Sequence, residues 1–226
     1  MLSIRQIDKL MDAAAHRRLA QRILANGRCQ EPAIVDRLLE PGAVAPAALG
    51  LALQRMLELS WGPTGSFTKA VRRLLVCQDS EGLFRTTIES LDAAAPEFVQ
   101  SEPFGRIAPP GAVPPSPALA ATAVALRALS QWRDRDLQRT PGQPSSLVGR
   151  VGDALERGTA AMARRLSHDL VDAVSPVDAA IVAWQLAEVE PIADRLDLGA
   201  LRARLRRDDA LTAAGSLFEY AYSNAA

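Results

Sequence analysis

The amino-acid sequence predicts an all-α protein, and three observations carry that prediction. Apolar residues make up 48% of the 226 residues, drawn mainly from Ala, Leu and Val, and only 4% of the chain is aromatic. Long segments repeat their apolar residues at the 3.6-residue period of a helix, whereas strand-type runs of Ile, Val, Thr, Tyr and Phe are absent. Gly and Pro fall between these segments, where they begin or end helices. A chain of this length and composition can bury one sizeable core, so a single domain over residues 1–226 is expected.

The charges exclude several function classes. The 26 Lys and Arg residues balance 26 Asp and Glu, so no global field draws nucleic acid or an anionic membrane surface. Lys9 and Lys69 are the only lysines, a compositional bias toward Arg from which no function follows. Cys29, Cys77, His16 and His168 lie far apart and show neither C-x-x-C nor H-x-x-x-H spacing. Reduced, buried thiols are therefore expected, with no metal or other cofactor. The N-terminal MLSIRQIDKLMD interleaves charge with apolar residues, and no apolar run reaches the roughly 18 residues that a spanning helix needs. Neither export nor a membrane span is supported, and the cytoplasm is the expected compartment.

Taken in order, residues 3–26 place Ile4, Ile7, Leu10, Met11, Ala14, Leu19, Ile23 and Leu24 on an amphipathic helix that Gly27 ends. A short helix is expected from Pro32 to Leu39, closed by Pro41 and Gly42. From Pro46 to Leu59 the apolar residues cover nearly the whole circumference, and Gln54, Arg55 and Glu58 are the strongly polar exceptions. Such a helix is buried on most sides. After the turn from Trp61 to Gly65, Phe67, Ala70, Val71, Leu74 and Leu75 share one face, with Lys69, Arg72 and Arg73 opposite. The same alternation recurs. Pro117–Trp132 is apolar nearly all round, Leu147–Leu166 is amphipathic, Pro176–Val189 is again largely apolar, and Leu198, Leu201 and Leu205 form a narrow stripe on an Arg-rich helix.

The three buried helices each begin with Pro, followed by small and then larger residues. Their starts, at residues 46, 117 and 176, are unevenly spaced. That argues against solenoids of fixed period and for helix pairs separated by loop insertions. The largest insertion, residues 79–116, contains Pro96, Pro103, Pro109, Pro110, Pro114 and Pro115 as well as Gly105 and Gly111. A connection so long is expected to be functional or poorly ordered.

Residues Lys69 to Phe84 read KAVRRLLVCQDSEGLF. This segment resembles the QW repeat of squalene-hopene and oxidosqualene cyclases. Lys69, Ala70, Leu74, Gln78 and Gly82 match the pattern, Phe84 replaces the terminal Trp, and Arg73 stands where an aromatic is usual. The spacing has a physical logic: a helix ends at the Gln, whose amide bonds backbone groups at neighbouring helix termini. The Gly permits the turn, and the aromatic covers the joint. The resemblance implies an α/α toroid of the terpenoid-cyclase and prenyltransferase superfamily over residues 46–220, with inner helices ringed by outer ones. In that family the segment is structural and carries no catalysis. This chain has fewer helix pairs than a closed ring needs, so the ring is expected to be incomplete. The N-terminal helix and the Pro-rich loop, a second protomer or a partner would then cover its apolar inner face.

Catalytic signatures of that superfamily are missing. Asp134-Arg135-Asp136-Leu137 lacks the last acid of D-x-D-D, the string that keeps a carboxylic acid protonated for attack on an alkene. Asp208-Asp209-Ala210-Leu211-Thr212 fails the D-D-x-x-D pattern that holds magnesium at a diphosphate. Asp79, Cys77 and His168 could be set against a zinc site, but Cys77 falls on an apolar stripe and reads as core. What remains is a set of pocket candidates, Asp178, Trp184, Trp132 and Trp61. Against that stand Asp178 as a first-turn capping acid and the aromatics as core packing. The function expected is a toroid-like helical domain that binds a hydrophobic ligand or a protein partner without the acid motifs of cyclases. The alternatives are a divergent isoprenoid-processing enzyme using Asp134, Asp136 and Asp178, and a helical adaptor unrelated to cyclases.

Overall fold

A computed structural model describes residues 42–58, 64–90, 95–98, 116–139, 142, 145–167, 174–187, 189–196 and 198–207. They belong to one unit, Pro41–Ala226. The helices expected at 3–26 and 32–39, and Trp61, His168, Asp208 and Asp209, lie outside the described residues. In chain order the elements are β1 (Ala43–Val44), α1 (Pro46–Glu58), α2 (Thr64–Val76), β2 (Thr87–Ile88), β3 (Glu97–Phe98), α3 (Pro117–Arg139), α4 (Ser146–Arg165), α5 (Pro176–Leu186), α6 (Glu190–Ala193) and α7 (Leu198–Arg207).

Three of these helices begin on proline, which has no N–H to leave unsatisfied in a first turn and whose fixed φ suits it. They are the three expected to be buried. Helix α3 is the centre of the unit, packing on α1, α4 and α5 and touching α2, while α2 also lies on α1 and α7 on α5. Small residues allow the approach. A Cβ on Gly50 would meet Val124 Cγ1 at 2.8 Å, and one on Gly158 would meet Leu126 Cδ2 at 2.6 Å. Leu126, Leu129 and Ala125 of α3 are fully buried as a result.

Helix α1 departs from expectation in having a wet face. Leu49, Leu53, Met56 and Leu57 are buried, but Ala48, Leu51, Arg55 and Glu58 are exposed. Its polar residue Gln54 turns inward, because it has partners there: Nε2 donates to the Val124 carbonyl and to Gln185 Oε1, both at 3.0 Å. One amide therefore links α1, α3 and α5. At the end of α1, where carbonyls lack helical partners, Arg135 Nη1 donates to the Leu57 carbonyl at 2.8 Å and its guanidinium lies 5.2 Å from the Phe67 ring centroid.

The chain is mostly helical, as expected of an all-α protein, with a small three-stranded sheet in addition. Strands β2 and β3 lie within the segment read as a loop, residues 79–116, and pair antiparallel with β1 in the order β1-β2-β3. Val44 faces Thr87, and Thr87 faces Phe98. Two-residue strands are too short to show alternation. They are held from outside: buried Thr87 donates its hydroxyl to the Glu97 carbonyl at 3.0 Å, and Arg73 of α2 pairs with Glu89 at 3.2 Å. Helix α3 also runs beyond Trp132 to Arg139, so Asp134 and Asp136 sit in its last turns, while α5 stops at Leu186 rather than Val189.

Candidate functional site

The segment from Lys69 to Phe84 forms a joint between three helices. Helix α2 tightens as it ends, with Cys77 N donating to the Leu74 carbonyl at 3.1 Å. The chain then turns back so that Gln78 and Phe84 form an antiparallel bridge. Gly82 makes this turn at φ +95°, and a Cβ there would stand 2.6 Å from the Arg157 carbonyl oxygen. A side chain is excluded twice over, by conformation and by space. Gln78 Nε2 donates to the Gly82 carbonyl at 3.1 Å and to the Ala154 carbonyl at 2.8 Å, and its Oε1 accepts from Arg157 Nη2 at 2.7 Å. Phe84 is fully buried, and its N–H donates to Thr122 Oγ1 of α3 at 2.9 Å.

The partner of Gln78 is not a helix terminus, as the spacing suggested, but a carbonyl in the middle of α4. A carbonyl oxygen bonded within a helix keeps a second lone pair. Gly158, lacking a side chain, leaves that oxygen approachable: a Cβ there would lie 3.4 Å from Gln78 Nε2. Ala70 and Leu74 are buried beneath the joint, whereas Lys69 is exposed. Arg73, at the position of the usual aromatic, is buried and reaches Glu89 instead.

Of the residues set against zinc, Asp79 and Cys77 belong to the same joint. Asp79 Oδ1 accepts from Leu83 N at 2.9 Å and Oδ2 from Arg85 Nε at 2.6 Å. Cys77 is buried and donates to the Arg73 carbonyl at 3.4 Å. Burial, with Glu89 adding to it, pushes the Cys77 thiol up to about 12, well away from thiolate reactivity. Among the described residues no group of three His, Cys, Asp or Glu side chains could hold a metal ion.

Asp178 occupies the start of α5 and joins it to the start of α3. Its Oδ2 accepts from Ser116 N at 2.6 Å and Ser175 Oγ at 2.7 Å, while Asp178 N donates to Ser175 Oγ at 3.1 Å. Ser-x-x-Asp is thus a cap at the N-terminus of α5, in which hydroxyl and N3 acid answer each other. Burial raises the carboxyl pKa, and the bonds from Ser116 and Ser175 oppose that rise. Its Oδ1 is buried without a partner among the described residues.

The described pocket candidates differ in burial. Asp178 is 1% exposed and Trp132 5%, but Trp184 is 54% exposed, with its backbone carbonyl accepting from Arg127 Nη1 at 3.3 Å. Asp134 is exposed and pairs with Arg133 at 3.5 Å. A cleft that the sequence did not announce lies elsewhere. It has a volume of about 320 Å³ and is bounded by Ser130 and Arg133 of α3, Gly152, Leu155, Glu156 and Thr159 of α4, and Ile192 and Arg195 at and after α6. Its walls come from three separate stretches of chain, none carrying a local motif. The available signal was a helix-interior glycine, Gly152, whose place no packing requires, since a Cβ there meets nothing within 4 Å. Neither protein-family models nor curated proteins match the chain.

Proposed function

We propose that this chain is a helical interaction module of the QW-repeat, α/α-toroid type, which binds a protein partner on the outer face of α5 and performs no reaction of its own. The carrying observation is Trp184. On α5, Ala179, Val182 and Leu186 are fully buried, yet the largest side chain of the helix is 54% exposed. An exposed Trp is a frequent anchor at protein interfaces because it contributes large apolar area with few rotamers to order. The Arg127 guanidinium borders the patch, donating to the Trp184 carbonyl at 3.3 Å. A partner segment of apolar residues matches it.

The toroid assignment is supported by the joint of Gln78, Gly82 and Phe84, whose bonds tie α2, α3 and α4 together. Binding of an apolar small molecule is less well supported, because the described cleft is rimmed by Arg133, Glu156 and Arg195. The enzymatic reading loses Asp178 to helix capping. Site-specific photocrosslinking from position 184 in the native host tests the proposal. The expected result is one heterologous adduct that is absent from a matched probe at exposed Leu137 and lost on adding excess unlabelled chain. An adduct with a second copy of the chain would reassign the face to self-association. No adduct above the control would end the proposal.

A further inference from the structure

At the cleft, exposed Arg195 and Glu156 flank the half-buried Arg133. Arg195 and Glu156 form no ion pair among the described residues, and Arg133 has only its chain neighbour Asp134, at 3.5 Å. Arg133 Nε is buried without an acceptor. Thr159 spends its hydroxyl proton on the Leu155 carbonyl at 2.7 Å, leaving lone pairs. The floor is apolar, with Leu155 5% and Ile192 4% exposed. Gly152 keeps part of the space open.

The geometry points to this cleft as a binding site for a small carboxylate that also carries an ammonium or hydroxyl group, of the amino-acid or hydroxy-acid class. Asp134 already answers one end of Arg133, so the donors left for a ligand are Arg195 and the buried Arg133 Nε, and fork-shaped guanidinium donors suit a carboxylate. Glu156 and Thr159 lie three residues apart on one face of α4 and present acceptors only, so the ligand must also donate. The volume, about 320 Å³, equals roughly ten water volumes at about 30 Å³ each, which suits a molecule of on the order of ten heavy atoms. This site is independent of the Trp184 face and of the proposal made there.

Calorimetric titration of the full chain with a panel of amino acids, hydroxy acids, their simple carboxylate analogues and inorganic phosphate tests it. At least one amino or hydroxy acid should bind saturably at millimolar concentration or below. Arg195→Gln should weaken it about tenfold or more. Glu156→Gln should weaken the donor-bearing ligand while sparing its simple carboxylate analogue. Gly152→Leu should abolish binding with an unchanged circular dichroism spectrum, since the added side chain enters open space. Phosphate binding as tightly as the best acid, with no response to Glu156→Gln, would overturn the ligand class. The absence of saturable binding across the panel, or binding unaffected by both Arg195→Gln and Gly152→Leu, would overturn the site.

Discussion

Helix α4 has two polar sides, and they differ in how their groups are satisfied. On one, Ala154, Arg157 and Gly158 receive the Gln78 joint, where both atoms of the Gln amide are bonded and a glycine turn fits against the helix backbone. On the other, Glu156 and Thr159 face Arg133 and Arg195 across open space. The lesson is one of accounting for donors and acceptors. A buried polar group whose bonds are all made within the chain holds the fold, and removing it costs stability. Groups left unanswered in a cleft are available to something else, and changing them should cost stability little.

The most damaging test of the first side is Gly82→Ala. A Cβ at φ +95° and 2.6 Å from the Arg157 carbonyl forces the turn away from α4. Loss of about 2–4 kcal/mol is expected in urea denaturation, read as a lower midpoint at an unchanged slope. Gln78→Ala follows, at about 1–3 kcal/mol, because the Arg157 guanidinium and two carbonyls lose their partner. If Gln78→Ala proved neutral, the distinction between the two sides of α4 would fail.

On the other side the sign reverses. Gly152→Ala should stabilise the protein by about 0.5–1 kcal/mol, since the helix gains a better former and the methyl group meets nothing within 4 Å. A destabilised variant would mean that the cleft is packed.

Asp178 lies between the two cases, with Oδ2 bonded twice and Oδ1 not at all. Its folded carboxyl pKa is raised above the ordinary 3.8 by burial. The folded state therefore holds the proton more tightly than the unfolded chain, and the associated stabilisation is full below the unfolded pKa. It is lost as pH rises through the folded value. A thermal-unfolding series run upward from pH 3.8 should show wild type losing stability relative to Asp178→Asn, whose profile lacks that component. The smallest effect concerns Cys77. In a Cys29→Ser background, the buried thiol should react with Ellman's reagent only on unfolding.

Much of the arrangement was legible in the sequence where one residue type answers one physical demand. Pro at residues 46, 117 and 176 marked helix starts, because few other contexts accept a missing N–H and a fixed φ. Gln78, Gly82 and Phe84 marked a joint, because their spacing encodes a turn, although the mid-helix partner Ala154 lay far along the chain and could not be read. Strands β1, β2 and β3 escaped because two residues carry no period and their support comes from Arg73 and Thr87. Leu51 misled, since an apolar residue on a helix predicts burial only when a neighbour arrives to cover it. The cleft escaped for the same reason: Arg133, Glu156 and Arg195 come from separate stretches of chain, each ordinary by itself.

Gln54 also sets a condition on when the unit is finished. Its acceptor Gln185 lies 131 residues further along the chain, so this bond closes only after α5 has been made and docked. Until then that N–H of Gln54 keeps water as its partner, and docking of α5 exchanges the water for the Gln185 oxygen. The seam between α1 and α5 can therefore close without leaving this donor unanswered at any stage.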